Sequence, residues 1–81
     1  MPMFIDFHDD LKLSDQMVDE LGHEAREGRS DEYGVRQVDA FFNAHGKVYC
    51  LLEAPDEEAV RSHHTALGIE CGDVHEVHSL T

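Results

Sequence analysis

An α+β plait of order βαββαβ is the fold class this chain predicts, and three observations carry it. Short runs rich in alternating, β-branched or aromatic residues recur four times, at 4–8, 35–42, 48–52 and 70–78. Helix-like stretches follow the first run and the third. The 81 residues leave room for one domain, 1–81, and no linker, repeat or low-complexity tract divides it.

Each element has its own reason. Phe4, Ile5, Asp6, Phe7 and His8 alternate large and polar side chains, and Asp9 and Asp10 stop the strand. Ser14 is a natural N-cap, Asp15 lies in the first turn, and Met17, Val18, Leu21 and Ala25 follow at helical spacing; Gly28 or the Ser30-Asp31 stretch closes this helix. The next two runs are separated by Asn43-Ala44-His45-Gly46, which reads as a hairpin turn with the glycine at positive φ. Pro55, Asp56, Glu57 and Glu58 open the second helix with acids at its positive dipole end, and Gly68 stops it. The last strand runs from about 70 to 78.

That order in so short a chain is the ferredoxin-like plait, an antiparallel sheet with two helices on one face. The other face is left uncovered. The second strand presents Val38, Ala40 and Phe42 on one side and Val35 and Phe41 on the other, and the third is also apolar on both sides, so the open face predicts a homodimer.

Composition narrows the function. Eighteen Asp and Glu against six Lys and Arg give a formal net charge of -12, which excludes the basic stripes that nucleic acids and anionic membranes require. With neither a long apolar run nor a signal-peptide pattern, the expected location is the cytoplasm, where Cys50 and Cys71 would be free thiols. Seven histidines, two cysteines and the excess of carboxylates supply nitrogen, sulfur and oxygen donors for a divalent metal ion.

The donors bunch, and the topology brings the bunches together. In the plait the first strand lies between the third and fourth, so its end, the last turns of the second helix and the start of the fourth strand share one end of the sheet. The candidate ligands are therefore His8, Asp9, His63, His64, Cys71, Asp73 and His75. On a regular strand Cys71, Asp73 and His75 share a face. His63 and His64 point about 100° apart on a helix, so one ligates while the other packs or serves a second site. Blander readings stand beside these: Asp9-Asp10 as a solvated turn, either helix histidine as a packed core group, Cys50 as a core thiol. His23, His45 and His78 read as bystanders.

The segments MPMFIDFHDD at 1–10, GKVYCLLEAPDEEAVRSHH at 46–64 and CGDVHEV at 71–77 resemble a family of small bacterial nickel-binding proteins. The resemblance spans nearly the whole chain. It implies a dimeric ferredoxin-like protein that binds Ni²⁺ at surface sites for sequestration or detoxification. By matching position, His8, Tyr49, Cys50 and His63 carry the broader family's pattern, while His64, Cys71 and His75 match the nickel-binding relatives. The donors alone suit zinc or copper as well. An alternative is a small dimeric plait enzyme of the isomerase or monooxygenase type, with His8, Tyr49 and Glu53 as acid-base groups in the open cleft, although no nucleophile-base spacing supports it.

Overall fold

The expected elements all form, with one strand much shorter than expected. The computed structural model describes residues 1–80; residue 81, the last of the expected domain, lies outside them. The elements are β1 (Met3–His8), α1 (Asp15–Glu27), β2 (Arg36–Phe42), β3 (Val48–Glu53), α2 (Glu57–Leu67) and β4 (Val74–Val77). They build one four-stranded sheet of order β2-β3-β1-β4, every pair antiparallel. This is the α+β ferredoxin-like plait.

The helix ends follow local chemistry. Ser14 Oγ accepts the Met17 N–H at 3.2 Å, and Asp56 caps α2 by accepting the Ala59 N–H at 2.8 Å. Gly28 and Gly68 close the two helices in the left-handed conformation, so Gly28, and not the Ser30-Asp31 stretch, ends α1. In the β2–β3 turn, Asn43 Oδ1 accepts the N–H groups of His45 and Lys47, and Gly46 takes φ 81° as the turn requires.

A bulge corrects the expected facing of β2. The register with β3 shifts between Gln37 and Asp39, so Val35 and Gln37 are buried in the protein while Phe41 stays exposed. The extra residue of a bulge reverses the alternation that a regular strand would keep. Val35 therefore does not share a face with Phe41; it joins the core of Phe4, Val48, Cys50, Leu52, Ala54, Val60 and Val74. On the opposite face Phe7 stacks at 4.9 Å on Tyr49, and Phe41 and Tyr49 remain about half exposed at 55% and 44%.

The two helices pack unequally. α2 buries Val60 and His64, whereas none of the residues of α1 is fully buried. Between them lies a gap of about 110 Å³ walled by Leu11, Met17, Leu21, Leu67 and Ile69, with His8, Cys50 and His64 reaching it from below. No helix among the described residues is long and apolar enough to cross a membrane.

Candidate metal centre

Period-two alternation places Phe4, Asp6 and His8 on the inward face of β1, all buried. Asp6 sits in the middle of that face with no exposed surface at all. Cross-strand pairing sets Cys50 of β3 opposite Asp6 on one side and Val74 of β4 opposite it on the other. From above, the last turn but one of α2 lowers His64 onto the same carboxylate. The segment before β4 brings in Cys71, held close to β1 by Phe7 N–H donating to the Asp73 carbonyl at 3.2 Å. Gly72 makes that approach possible, because a Cβ there would lie 2.8 Å from the Phe7 carbonyl oxygen.

Both buried imidazoles are oriented by the backbone. His64 Nδ1 lies 2.8 Å from the Val60 carbonyl and His8 Nδ1 lies 3.1 Å from the Glu70 carbonyl. A carbonyl only accepts, so each Nδ1 carries its proton and each neutral ring turns a lone pair on Nε2 towards Asp6. His64 Nε2 is 2.6 Å from Asp6 Oδ2, and His8 Nε2 is 3.4 Å from Oδ1. Neither nitrogen approaches along a hydrogen-bonding direction, and both Asp6 oxygens are buried without a hydrogen-bond donor. Lone pairs facing a carboxylate at these distances repel unless a cation, a proton or a metal ion, lies with them.

The electrostatics follow from this packing. Burial pushes the Asp6 pKa up, but the adjacent imidazoles, His64 ahead of His8, outweigh it and hold the carboxyl well below the usual carboxylate range. Burial pulls His64 down, and the contact with Asp6 more than reverses this, so its pKa is raised. Burial, then the negative charge of Asp6, pushes the Cys50 thiol up to about 12. Burial and Asp6 raise Cys71 likewise. Without a metal both thiols keep their protons at neutral pH; a bound cation would draw out the thiolates.

The donor atoms fall into two sets. Those of Asp6, His64 and Cys71 lie within 4.8 Å of one another, and so do those of Asp6, His8 and Cys50. Nitrogen, oxygen and sulfur at this spacing, with imidazoles locked by backbone carbonyls, fit a first-row divalent ion.

Of the residues expected from sequence, the structure brings together His8, His64 and Cys71. The other four lie elsewhere. Asp9 is exposed and pairs with the Lys47 ammonium, as a turn residue would. His63 turns towards Asp31, its Nδ1 2.5 Å from Oδ2. β4 starts only at Val74, so Cys71 and Asp73 precede the strand and do not share a strand face with His75. Asp73 is exposed, and His75, next to the inward-facing Val74, pairs with Ile5 and is exposed too. Sequence reasoning missed Asp6 and set Cys50 aside as core. The signal for Asp6 was present: a strand with Phe4 and His8 facing inward must bury the residue between them on that face.

A fully buried carboxylate flanked by two oriented imidazoles and two thiols marks the chain as a ferredoxin-like protein with a candidate metal centre inside its plait. A family model described as nickel responsive protein SCO4226-like matches residues 4–77, and the chain belongs to that family. The crystal structure of SCO4226 from Streptomyces coelicolor A3(2) is similar to it, with a TM-score of 0.75 and 27% identity over 98% of this chain and 99% of that one. No curated protein sequence matches the chain.

Proposed function

We propose that this protein binds Ni²⁺ at the Asp6 centre and holds it, for nickel sequestration or detoxification in the cytoplasm. The carrying observation is the buried Asp6 carboxylate, whose oxygens have no hydrogen-bond donor while the Nε2 atoms of His8 and His64 face them. A group buried at that cost without a partner is a place where a cation belongs. The family description, nickel responsive, favours nickel over the zinc and copper that the same donors accept. Ligation by Cys50 and Cys71 needs reduced thiols, which is the cytoplasmic state of cysteine. The formal charge of -12 raises the local concentration of divalent cations around the fold.

The reading includes a homodimer. The open sheet face, with Phe7, Phe41, Tyr49 and Leu51, is too apolar to be left to water in a chain of this size, and a second copy placed face to face would cover it. Sedimentation of the wild type and of Tyr49→Glu tests this part, with a dimer expected for the first and a monomer for the second.

Calorimetric titration tests the metal. Ni²⁺ is expected to bind the wild type and to lose its high-affinity phase in Asp6→Asn and His64→Ala, while His75→Ala and Asp9→Asn bind as the wild type does. Undiminished binding in Asp6→Asn would sink the reading.

A further inference from the structure

We infer that the Asp6 centre is a two-ion site in which the carboxylate bridges two metal ions, one on each oxygen. The inference rests on the nickel-binding reading and adds to it the number of ions and the division of ligands.

The division is geometric. Oδ2 faces His64 and Oδ1 faces His8, so the two oxygens serve different imidazoles. The thiols divide the same way: Cys71 groups with His64 and Cys50 with His8, each trio of donor atoms lying within 4.8 Å. Their sources explain why. Cys50 comes from β3, on one side of β1, and Cys71 from the segment leading into β4, on the other side. Asp6 is the one residue common to both trios.

One ion could not collect all five groups without rearrangement. Its ligands lie at most about 4.6 Å apart, twice a metal–sulfur bond of about 2.3 Å. The donors nevertheless form two trios and not one set of five. Each trio supplies one oxygen, one nitrogen and one sulfur, a complete face of an ion's coordination shell, and leaves its remaining position for water. The 3.4 Å between His8 Nε2 and Asp6 Oδ1 already matches two ligands about 2.1 Å from a common tetrahedral ion. The 2.6 Å between His64 Nε2 and Asp6 Oδ2 must widen to admit one. The His8 half therefore fills first and the His64 half second. The two rings, 5.1 Å apart between centroids, leave each ion its own imidazole, and ions that share a carboxylate sit about 3.5–4 Å apart.

The experiment is nickel loading followed by native mass spectrometry and nickel-edge X-ray absorption on the same samples. The wild type is expected to hold two Ni²⁺ per chain, with a nickel–nickel vector at about 3.5–4 Å. His8→Ala and Cys71→Ser are each expected to hold one ion and to lose the vector, and Asp6→Asn to lose both ions. A wild type that holds one buried ion overturns the two-ion site and leaves the nickel reading standing. Two ions without a nickel–nickel vector, one of them kept by Asp6→Asn, also overturn it. A wild type that takes up no nickel overturns both. The absorption measurement on the wild type decides the matter even if a variant fails to fold.

Discussion

Two Asp–His pairs of nearly equal length sit within one molecule, and they are built for different ends. His64 Nε2 stands 2.6 Å from Asp6, and the neighbouring His63 Nδ1 stands 2.5 Å from Asp31. Asp31 is satisfied: its Oδ1 accepts the N–H groups of Tyr33 at 2.9 Å and Val35 at 3.0 Å, and its side chain is partly exposed. Asp6 is wholly buried and accepts no such bond. Separation alone therefore does not distinguish a ligand from a structural pair. The distinguishing property is whether the carboxylate has other donors, because one that lacks them when buried is stabilised only by a cation.

The contrast is broken most severely by exchanging Asp6. At free nickel one hundred times Kd, binding to the folded state alone adds about 2.7 kcal/mol. For a domain of this size that corresponds to a rise in Tm of roughly 10–20 °C. Asp6→Asn is expected to abolish that rise, whereas Asp31→Asn is expected to keep it in full; differential scanning fluorimetry with and without nickel compares them. Equal losses in the two variants would erase the distinction.

Gly72→Ala comes next. Its Cβ would press on the Phe7 carbonyl oxygen at 2.8 Å and lift the segment bearing Cys71 from β1. The expected cost is about 1–3 kcal/mol in urea denaturation, with nickel affinity reduced as well, since a ligand is displaced. Asp31→Ala removes acceptors from two backbone N–H groups and from His63, and about 1–2 kcal/mol of stability should go with them. Its nickel affinity should stay within about twofold of wild type, the scale below which no ligand has been disturbed.

pH separates the pairs by sign. His64 has a raised pKa, so in the metal-free protein its pairing with Asp6 stabilises fully below the unfolded histidine value of about 6.5 and is lost as pH rises through the higher folded value. Nickel must displace that proton, so its affinity moves the opposite way, strengthening over the same rise. Asp31 has a lowered pKa: burial raises it, but His63 and then the Val35 and Tyr33 N–H groups outweigh this. Its contribution is present above the unfolded carboxylate value of about 3.9 and fades as pH falls through the lower folded one. Metal-free denaturation curves at pH 3, 5.5 and 8 should therefore show the His64 loss only at the alkaline end and the Asp31 loss only at the acid end. The His64 loss should vanish in His64→Ala. A flat alkaline limb in the wild type would mean that His64 carries no proton in the folded state.

The plait itself was legible because its signals are local. Ser14, Gly28, Asn43-to-Gly46, Pro55-to-Glu58 and Gly68 are caps and turns whose chemistry acts within a few residues, and each forms where it was expected or among the positions expected. The bulge at Gln37/Asp39 was not legible, since nothing in an apolar strand says where one extra residue will be absorbed. The donor clusters were half legible. Strand order brought His8, His64 and Cys71 to one end of the sheet, but the choice between His63 and His64 depends on the rotation of α2 about its axis, which the packing of Val60 and His64 against the sheet sets.

What the chain determined by itself is the order of elements, the acidic surface and the supply of nitrogen, oxygen and sulfur donors, all properties of residues and their near neighbours. What only the tertiary structure decided is which donors lose their water together. Asp6 and Cys50 read as an ordinary alternating polar residue and an ordinary core thiol until β1 pairs with β3 and α2 closes over both. Burial is a property of the assembled layers, and burial turns an unremarkable aspartate into a charge that requires a cation.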